Sequence, residues 1–178
     1  MDRRSNNIAI FQDSMDLIKA NQKLQQAVQF SIQNQKLYVP SQAIALPEPG
    51  KSSCKTIVSS KRSFEAASAY AKAGKRVCVL NFASATNPGG GVTRGSTAQE
   101  ECLCRCSTLY PCLDTKTMWH QFYQPHRKAG DPRYNDDLLY TPEVVVFKTD
   151  TSAPERMEEK DWYQVDIITL SLIHISEP

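Results

Sequence analysis

The segment from Val77 to Tyr110 constrains the fold more than any other part of the chain, because it joins a strand, a glycine loop and a helix. Its first seven residues, VCVLNFA, form an apolar run that predicts a buried strand. A polar turn follows, with Asn87-Pro88 and the triplet Gly89-Gly90-Gly91. Glycines allow a ligand to approach the backbone closely, because they carry no Cβ atom.

A helix is predicted from about Thr97. Thr97 and Glu100 have the spacing of a capping box, and apolar residues recur at helical spacing at Leu103, Cys106 and Leu109. A strand, a glycine loop and a helix N-terminus together predict a concavity with bare backbone amides and a partial positive charge, which suits a phosphate or a ribose. The unusual feature is a pair of acids, Glu100 and Glu101, at the same helix start.

Two common glycine-loop motifs are excluded by the residues present. The phosphate-binding loop of nucleotide hydrolases requires a lysine after its last glycine, but Gly90 and Gly95 are followed by Ser96. The dinucleotide fingerprint requires a third glycine where this chain has Arg94.

The triplet, seven intervening residues and then Gln99-Glu100-Glu101 form a GGG-x7-QEE signature, flanked by LNFA and PGGG before it and by LCRCSTLY after it. This stretch of about thirty residues resembles the microbial-type poly(ADP-ribose) glycohydrolases, which are hydrolases with a macrodomain fold. The strand, loop and helix that the signature requires are all predicted around it. A weaker resemblance extends over most of the chain up to Ile168.

The resemblance implies a role for each residue of the signature. Glu101 is expected to donate a proton to the leaving ribose hydroxyl, and Glu100 to hold a ribose hydroxyl. Gln99 is expected to lie close to the adenine and Asn87 to bond the distal ribose. Residues Gly89–Gly91 are expected to allow close approach of the nucleotide. The resemblance implies no metal and no cofactor.

The implied ligand is ADP-ribose or poly(ADP-ribose), free or carried on modified proteins. The implied reaction is hydrolysis of ribose–ribose O-glycosidic bonds with release of ADP-ribose. Two alternatives stay open: a macrodomain-like module that binds ADP-ribose without cleaving it, and an inactive fragment. A net charge of +2 gives no polybasic argument for duplex nucleic acid or for a membrane surface. A monomer is expected.

The two acids raise a question of geometry and of protonation. Adjacent helical residues point about 100° apart, so Glu100 and Glu101 are not expected to straddle one bond. A helix N-terminus lowers the pKa of a carboxyl group, whereas a general acid must keep its proton near neutral pH. The neighbouring charge and partial burial oppose the dipole, and activity is expected to fall as pH rises.

Composition and cysteine usage indicate the compartment. No apolar run approaches the ~20 residues of a membrane span, and the first twenty residues lack the apolar core of a signal peptide. Three of the six cysteines, Cys102, Cys104 and Cys106, alternate along one predicted helix, where their side chains diverge. Reduced thiols and a cytoplasmic location are therefore expected.

The expected fold class is α/β: a macrodomain-like mixed sheet flanked by helices, incomplete at its C-terminus and preceded by a helical extension. Residues 1–51 are interpreted as this extension with a proline-rich connector at 40–51, residues 52–170 as a partial catalytic core, and residues 171–178 as a tail that does not match the family. In the resembled proteins, a second glycine-rich loop follows.

The first predicted element is a helix over 5–20, with its apolar face at Ile8, Phe11, Met15 and Ile18 and a cap at Asn6 or Asn7. A further helix is permitted over 21–35, and another is capped by Ser63. The predicted strands are Thr56–Val58, Val77–Ala83, Glu143–Phe147 and Val165–Leu170, and a loop-rich region is predicted from 114 to 141.

Several other residues have two interpretations. Cys102 and Cys106 could share a metal, but packing against the sheet is favoured because no further ligands complete a site. Arg94 and Arg105 could meet a phosphate or be solvated. Trp119 and Tyr123 could stack on a base or pack in the core, and the sequence does not separate the two.

Overall fold

The structure, a computed structural model, describes residues 2–39, 41–42, 54–130 and 136–171. The helices are α1 (Arg3–Ala20), α2 (Gln22–Gln33), α3 (Ser63–Lys72), α4 (Gln99–Cys106), α5 (Leu109–Leu113), α6 (Lys116–Met118) and α7 (Gln124–Ala129), with 3-10 turns at Val92–Arg94 and Glu159–Asp161 and a π-helical turn at Trp119–Tyr123. The strands are β1 (Lys36–Tyr38), β2 (Cys78–Ala83), β3 (Leu138–Val146) and β4 (Tyr163–Ser171).

The strands form one mixed sheet in the order β1-β3-β4-β2. Strand β2 is parallel to β4, while β3 is antiparallel to both β1 and β4. The predicted mixed sheet with flanking helices is therefore confirmed. The glycine loop leaves the carboxyl end of β2, which is the end at which α/β sheets usually bind ligands.

One face of the sheet carries the hydrophobic core. Val79, Leu139 and Ile167 lie on this inner face and are buried against the helices, which contribute Phe64, Leu103 and Leu109 among others. Burying a side chain of this size stabilises the fold by roughly 1.5–3 kcal/mol. The position of α4 at the end of β2 therefore depends on packing against the inner face.

The opposite, outer face is apolar as well but remains accessible within the described residues. On β2, Leu80 and Phe82 are 40% and 51% exposed. They pair in register with Ile168 and Leu170 of β4, which are partly exposed. This outer face continues across β3 and β1 through Leu138, Tyr140 and Tyr38.

The N-terminal helix α1 docks on the segment that carries the signature. The predicted helix is confirmed, but its cap is Asp2, which accepts a hydrogen bond from the Ser5 amide. Phe11 and Ile18 are buried as expected, whereas Ile8 is 40% exposed.

Polar contacts complete this docking. The Asn7 side chain donates to the Gly95 carbonyl at 3.0 Å, and the Ser14 hydroxyl donates to the Arg105 carbonyl at 2.6 Å. Helix α1 thus holds both the turn before α4 and the end of α4. The permitted second helix is also present as α2, capped by Asn21.

The predicted strand at Thr56–Val58 is wrong. These residues form no strand, and Ile57 and Val58 are 60% and 91% exposed. β-Branched residues favour a strand only where a neighbouring strand and a core accept them, and here neither does.

The region from 114 to 141, predicted to be rich in loops, is mainly helical. Helices α6 and α7 and the π-helical turn between them cover Lys116 to Ala129, and β3 already begins at Leu138. Aromatic burial organises this region, because Phe122 and Tyr123 are fully buried and stack edge to face. Most of the predicted connector at 40–51 and the tail after Ser171 lie outside the described residues.

All six cysteines are free thiols, as predicted. Among the described residues, no helix combines the length and the apolar character needed to span a bilayer.

Candidate active site

The site begins where β2 ends, at Ser84. The backbone amide of Ser84 donates to Glu100 Oε2 at 2.8 Å. Its hydroxyl oxygen accepts from the amides of Thr86 and Asn87 at 3.3 and 3.2 Å. Ser84 therefore turns the chain into the glycine loop and ties that turn to α4.

The glycine triplet is folded tightly against the two glutamates. Gly89 and Gly90 have φ values of +65° and +57°, which L side chains rarely adopt. A Cβ atom on Gly90 would lie 2.6 Å from Glu101 Oε1 and 3.1 Å from Glu100 Oε2. The carboxyl groups of both glutamates thus flank one glycine, although their Cα–Cβ bonds diverge on the helix.

Glu101 is held by one of its two oxygens. Oε1 accepts a hydrogen bond from the Gly91 amide at 2.8 Å. Oε2 is buried and has no hydrogen-bond partner among the described residues. A buried polar atom left unpaired costs about 1–3 kcal/mol, so the described residues leave one carboxyl oxygen available to a further partner.

Glu100 lies deeper, between β2 and α4. The pKa of Glu100 is raised to about 7, chiefly by burial and to a smaller extent by the negative charge of Glu101, while hydrogen bonds from the Ser84 amide and the Asn81 side chain act in the opposite direction. For Glu100, desolvation therefore outweighs the lowering of the carboxyl pKa that is expected at a helix N-terminus.

Two expectations about the loop are wrong. Helix α4 starts after Ala98, which makes no side-chain cap, and Glu100 bonds the Ser84 amide instead of closing a capping box with Thr97. The loop amides are also not bare: Gly91 donates to Glu101, and Gly90 donates to the Asn87 carbonyl at 3.0 Å. The glutamates reach across to the loop rather than back along their own helix, which explains the missing capping box and the paired Gly91 amide.

Gln99 closes the free edge of β2. Its Oε1 accepts from the Phe82 amide at 2.9 Å, and its Nε2 donates to the Leu80 carbonyl at 2.7 Å. The same Nε2 also donates to Ser63 at the start of α3. The side-chain amide thus mimics a residue of a neighbouring strand. The contact with adenine stays a prediction, and it requires these bonds to exchange or the backbone to make the contact.

Asn87 is held by a clamp from α7. Arg127 donates to the Asn87 side-chain oxygen and, at 2.7 Å, to the Thr86 carbonyl. The guanidinium of Arg127 lies 4.7 Å from the ring centroid of Trp119, a cation–π arrangement. The remaining hydrogen of the Asn87 amide is the part of this side chain that could meet a ribose.

The structure shows where the residues that had two interpretations lie. Arg105 is buried and donates to the Ser96 carbonyl at 2.7 Å, so it is neither solvated nor exposed to a phosphate. Arg94 is exposed. Tyr123 is fully buried, so it packs in the core, while Trp119 is partly exposed beside Arg127.

The part of the chain that the structure describes contains no group of three or more His, Cys, Asp or Glu side chains placed to share a metal ion.

Comparison with known proteins decides the family. The sequence matches the family model described as "Microbial-type PARG, catalytic domain" over residues 8–149, where PARG stands for poly(ADP-ribose) glycohydrolase. The chain belongs to the microbial-type PARG family. No curated protein matches the sequence.

Solved PARG structures have the same fold. The enzyme from Thermomonospora curvata is 29% identical with a TM-score of 0.79, and the match covers 94% of this chain and 64% of that one. The same enzyme bound to the inhibitor ADP-HPD is 28% identical with a TM-score of 0.72, covering 96% and 64%. A PARG from Deinococcus radiodurans in complex with ADP-ribose is 31% identical with a TM-score of 0.70, covering 82% and 58%. The macrodomain-like α/β fold is therefore confirmed, and this chain spans less than two thirds of the length of these PARG structures.

Sequence reasoning missed three residues that support the PARG signature in this chain. Asn81 and Ser84 bond Glu100, and Arg127 bonds Asn87. A signal existed for Asn81, because it is a polar residue in the middle of an apolar strand. No local pattern could indicate Arg127, which lies forty positions away from its partner.

Proposed function

We propose that this chain carries the acid pair and the glycine loop of a PARG-type glycoside hydrolase, which cleaves the ribose–ribose O-glycosidic bonds of poly(ADP-ribose) and releases ADP-ribose. Membership of the microbial-type PARG family supports this proposal. Structural neighbours of the chain bind ADP-ribose or the inhibitor ADP-HPD.

The observation that carries the assignment of the general acid is the asymmetric environment of Glu101. Oε1 is fixed by the Gly91 amide, whereas Oε2 has no partner among the described residues. A carboxylic acid anchored through one oxygen presents its proton on the other, and the glycosidic oxygen is an acceptor that would satisfy it. Glu101 is therefore the proposed proton donor.

Glu100 is the proposed partner of a ribose hydroxyl. It is held by the Ser84 amide and flanks the same glycine as Glu101. With a pKa of about 7, Glu100 is partly ionised near neutral pH, and the ionised carboxylate can accept a hydrogen bond from a ribose hydroxyl.

The proposed reaction moves one proton forward and one back. Glu101 gives its proton to the glycosidic oxygen, and the bond between that oxygen and the anomeric carbon breaks with its electron pair on the oxygen. The anomeric carbon passes through an oxocarbenium-like state. Water then adds to this carbon and returns a proton to Glu101, so the carboxylic acid is restored.

The substrate-binding roles follow from the loop. Asn87 is the proposed contact to the distal ribose and is preset by Arg127. Gly89, Gly90 and Gly91 are the proposed place where the nucleotide approaches the backbone, and a Cβ at Gly90 would displace the glutamates. Gln99 is the proposed neighbour of the adenine, after exchange of its bonds to β2.

The test combines polymer hydrolysis with ligand binding. ADP-ribose released from poly(ADP-ribose) is quantified for the wild-type chain, Glu101→Gln and Glu155→Gln, and ADP-ribose binding is measured by calorimetry. We expect Glu101→Gln to reduce release by at least about a hundredfold and to keep binding, because glutamine still accepts from Gly91 but cannot act as an acid. Glu155 is exposed and serves as the matched control, with unchanged release expected.

Each outcome has a defined meaning. Near-normal release by Glu101→Gln would eliminate Glu101 as the acid. Binding of ADP-ribose without release by the wild-type chain would favour a non-catalytic ADP-ribose-binding module. Neither binding nor release would leave an inactive fragment.

A further inference from the structure

Asn81 is a buried polar residue on the inner face of β2, between Val79 and Ala83. A buried amide destabilises the fold unless its hydrogen-bonding atoms are paired. Its Nδ2 lies 3.2 Å from the Thr169 hydroxyl and 3.5 Å from Glu100 Oε1. Its Oδ1 is buried without a partner among the described residues. Asn81 therefore pairs only its donor side, and that side faces the Glu100 carboxyl.

The sheet register explains how these groups meet. Asn81 of β2 and Thr169 of β4 are direct partners in the parallel ladder, so their side chains emerge side by side on the same face. Thr169 is fully buried, and its hydroxyl can either donate or accept. Together they form a polar pair beneath the first turn of α4.

An asparagine is suited to a carboxyl group that changes its protonation state. When Glu100 is ionised, the amide NH2 of Asn81 donates to it. When Glu100 is protonated, turning the amide by 180° brings the unpaired Oδ1 round to accept from it. The Thr169 hydroxyl can follow either orientation by rotating about its own bond. Neither aspartate nor leucine could serve both states.

We propose that Asn81, supported by Thr169, is a positioning residue that holds Glu100 in both of its protonation states during the reaction. This inference rests on the proposed hydrolase function, within which Glu100 meets the ribose. Asn81 itself touches no substrate in this proposal and acts through Glu100.

Three other titratable groups are coupled to the same carboxyl. The charge of Glu101 on α4 raises the pKa of Glu100. The pKa values of Cys104 on α4 and of Tyr123 on the π-helical turn are raised chiefly by burial and also by the Glu100 charge. These groups stay in place in the variants below, so a change in the Glu100 titration reports on Asn81 and Thr169.

The experiment follows the Glu100 carboxyl by ¹³C NMR, in chains labelled at the glutamate side-chain carboxyl carbon. The Glu100 resonance is assigned by its loss in Glu100→Gln. We expect Asn81→Asp to move the Glu100 titration midpoint to higher pH by about one unit or more, because a nearby carboxylate repels the ionised form. Thr169→Val should move it in the same direction by a smaller amount, and Thr169→Ser should restore the wild-type midpoint.

Thr141→Val is the matched control. Thr141 is fully buried on the inner face of β3, and its hydroxyl accepts from Gln35. The same substitution there should leave the Glu100 midpoint unchanged. Circular dichroism confirms that each variant is folded, and Asn81→Ser replaces Asn81→Asp if the latter does not fold.

The two proposals fail in different ways. A Glu100 midpoint that is the same in Thr169→Val and in every folded Asn81 variant as in the wild-type chain would overturn the role of Asn81. Absence of ADP-ribose release by a wild-type chain whose Glu100 midpoint still responds to these variants would overturn the hydrolase function alone. With release present, the limb of the pH–rate profile that follows the ionisation of Glu100 should shift together with the NMR midpoint.

Discussion

The two faces of the sheet differ although their strands are nearly equally apolar. On β2, the inner residues Val79, Asn81 and Ala83 are buried, while Leu80 and Phe82 on the outer face are 40% and 51% exposed. An apolar residue at almost every position is typical of a strand with both faces covered. Within the described residues, helices cover the inner face of β2, while its outer face remains exposed. Stability and the candidate site are therefore both concentrated on one side of the same strands.

The largest expected effect comes from neighbouring isoleucines of β4 that point to opposite faces. Ile167 is fully buried on the inner face, whereas Ile168 is partly exposed on the outer face. We expect Ile167→Ala to lower the free energy of unfolding by about 2–5 kcal/mol, because it leaves a cavity. Ile168→Ala, the same change one position along, should lower it by less than half as much. Urea unfolding measures both, and equal losses would show that the outer face is covered.

Substitution of Glu100 is expected to have the next largest effect on the free energy of unfolding, and this effect depends on pH. Its pKa is about 7 in the folded chain against a usual value of 4.5, so the folded state keeps the proton over this interval. The contribution of Glu100 to stability is therefore fully present below about pH 4.5 and is lost as pH rises through 7.

Glu100→Gln should remove this dependence and exceed the wild-type stability above pH 7 by at most about 3 kcal/mol. Urea unfolding at several pH values measures the slope, with Glu155→Gln as the control that keeps it. An unchanged slope in Glu100→Gln would mean that another group titrates in this window.

A comparison of Gly90 in the glycine loop with Gly74 separates the effect of backbone strain from the effect of contact with the glutamates. Gly90 and Gly74 both have positive φ, but a Cβ at Gly90 would press on Glu101, whereas a Cβ at Gly74 would meet no atom within 4 Å. Both alanine variants should lose about 1–2 kcal/mol of stability through backbone strain. Only Gly90→Ala should also reduce ADP-ribose release, by about tenfold or more, because it displaces the carboxyl of the proposed acid. Equal release by the two variants would contradict the contact between the loop and Glu101.

The smallest effect is expected on the outer face. Phe82→Thr replaces a half-exposed aromatic side chain by a polar residue that still favours a strand. The free energy of unfolding should change by about 0.5 kcal/mol or less, and binding of a hydrophobic dye should decrease. A loss of several kcal/mol would mean that Phe82 packs against a part of the protein beyond the described residues.

Much of the fold was predictable because its signals are local. The apolar runs predicted β2 and β4, and helical periodicity predicted α1, each within a few residues, whereas only the second half of β3 was predicted and its first five residues were missed. The strand at Thr56–Val58 was wrong, because three residues with suitable propensity had no partner strand. The helical region around Phe122 was missed, because its order comes from aromatic burial rather than from a regular repeat.

The candidate site was predictable as a list of residues but not as a set of bonds. The signature placed Glu100 and Glu101 beside the glycine triplet, and the structure brings them together. It could not indicate that Gly91 donates to Glu101 or that Gln99 bonds β2, since each bond depends on how α4 is set against the sheet. Contacts over long sequence separations, such as Arg127 to Asn87, carry no local signal.

The hydrogen bonds that Gln99 makes to β2 link the edge of the sheet to α4. An extended peptide that paired with this edge of β2 would compete for the Phe82 amide and the Leu80 carbonyl. It would thereby break the hydrogen bonds that hold Gln99, the first residue of α4, against the strand. Because the two acids follow immediately in sequence, any such augmentation would disturb their alignment. Binding of a peptide at the edge of β2, away from the sugar, would in this way be expected to slow hydrolysis.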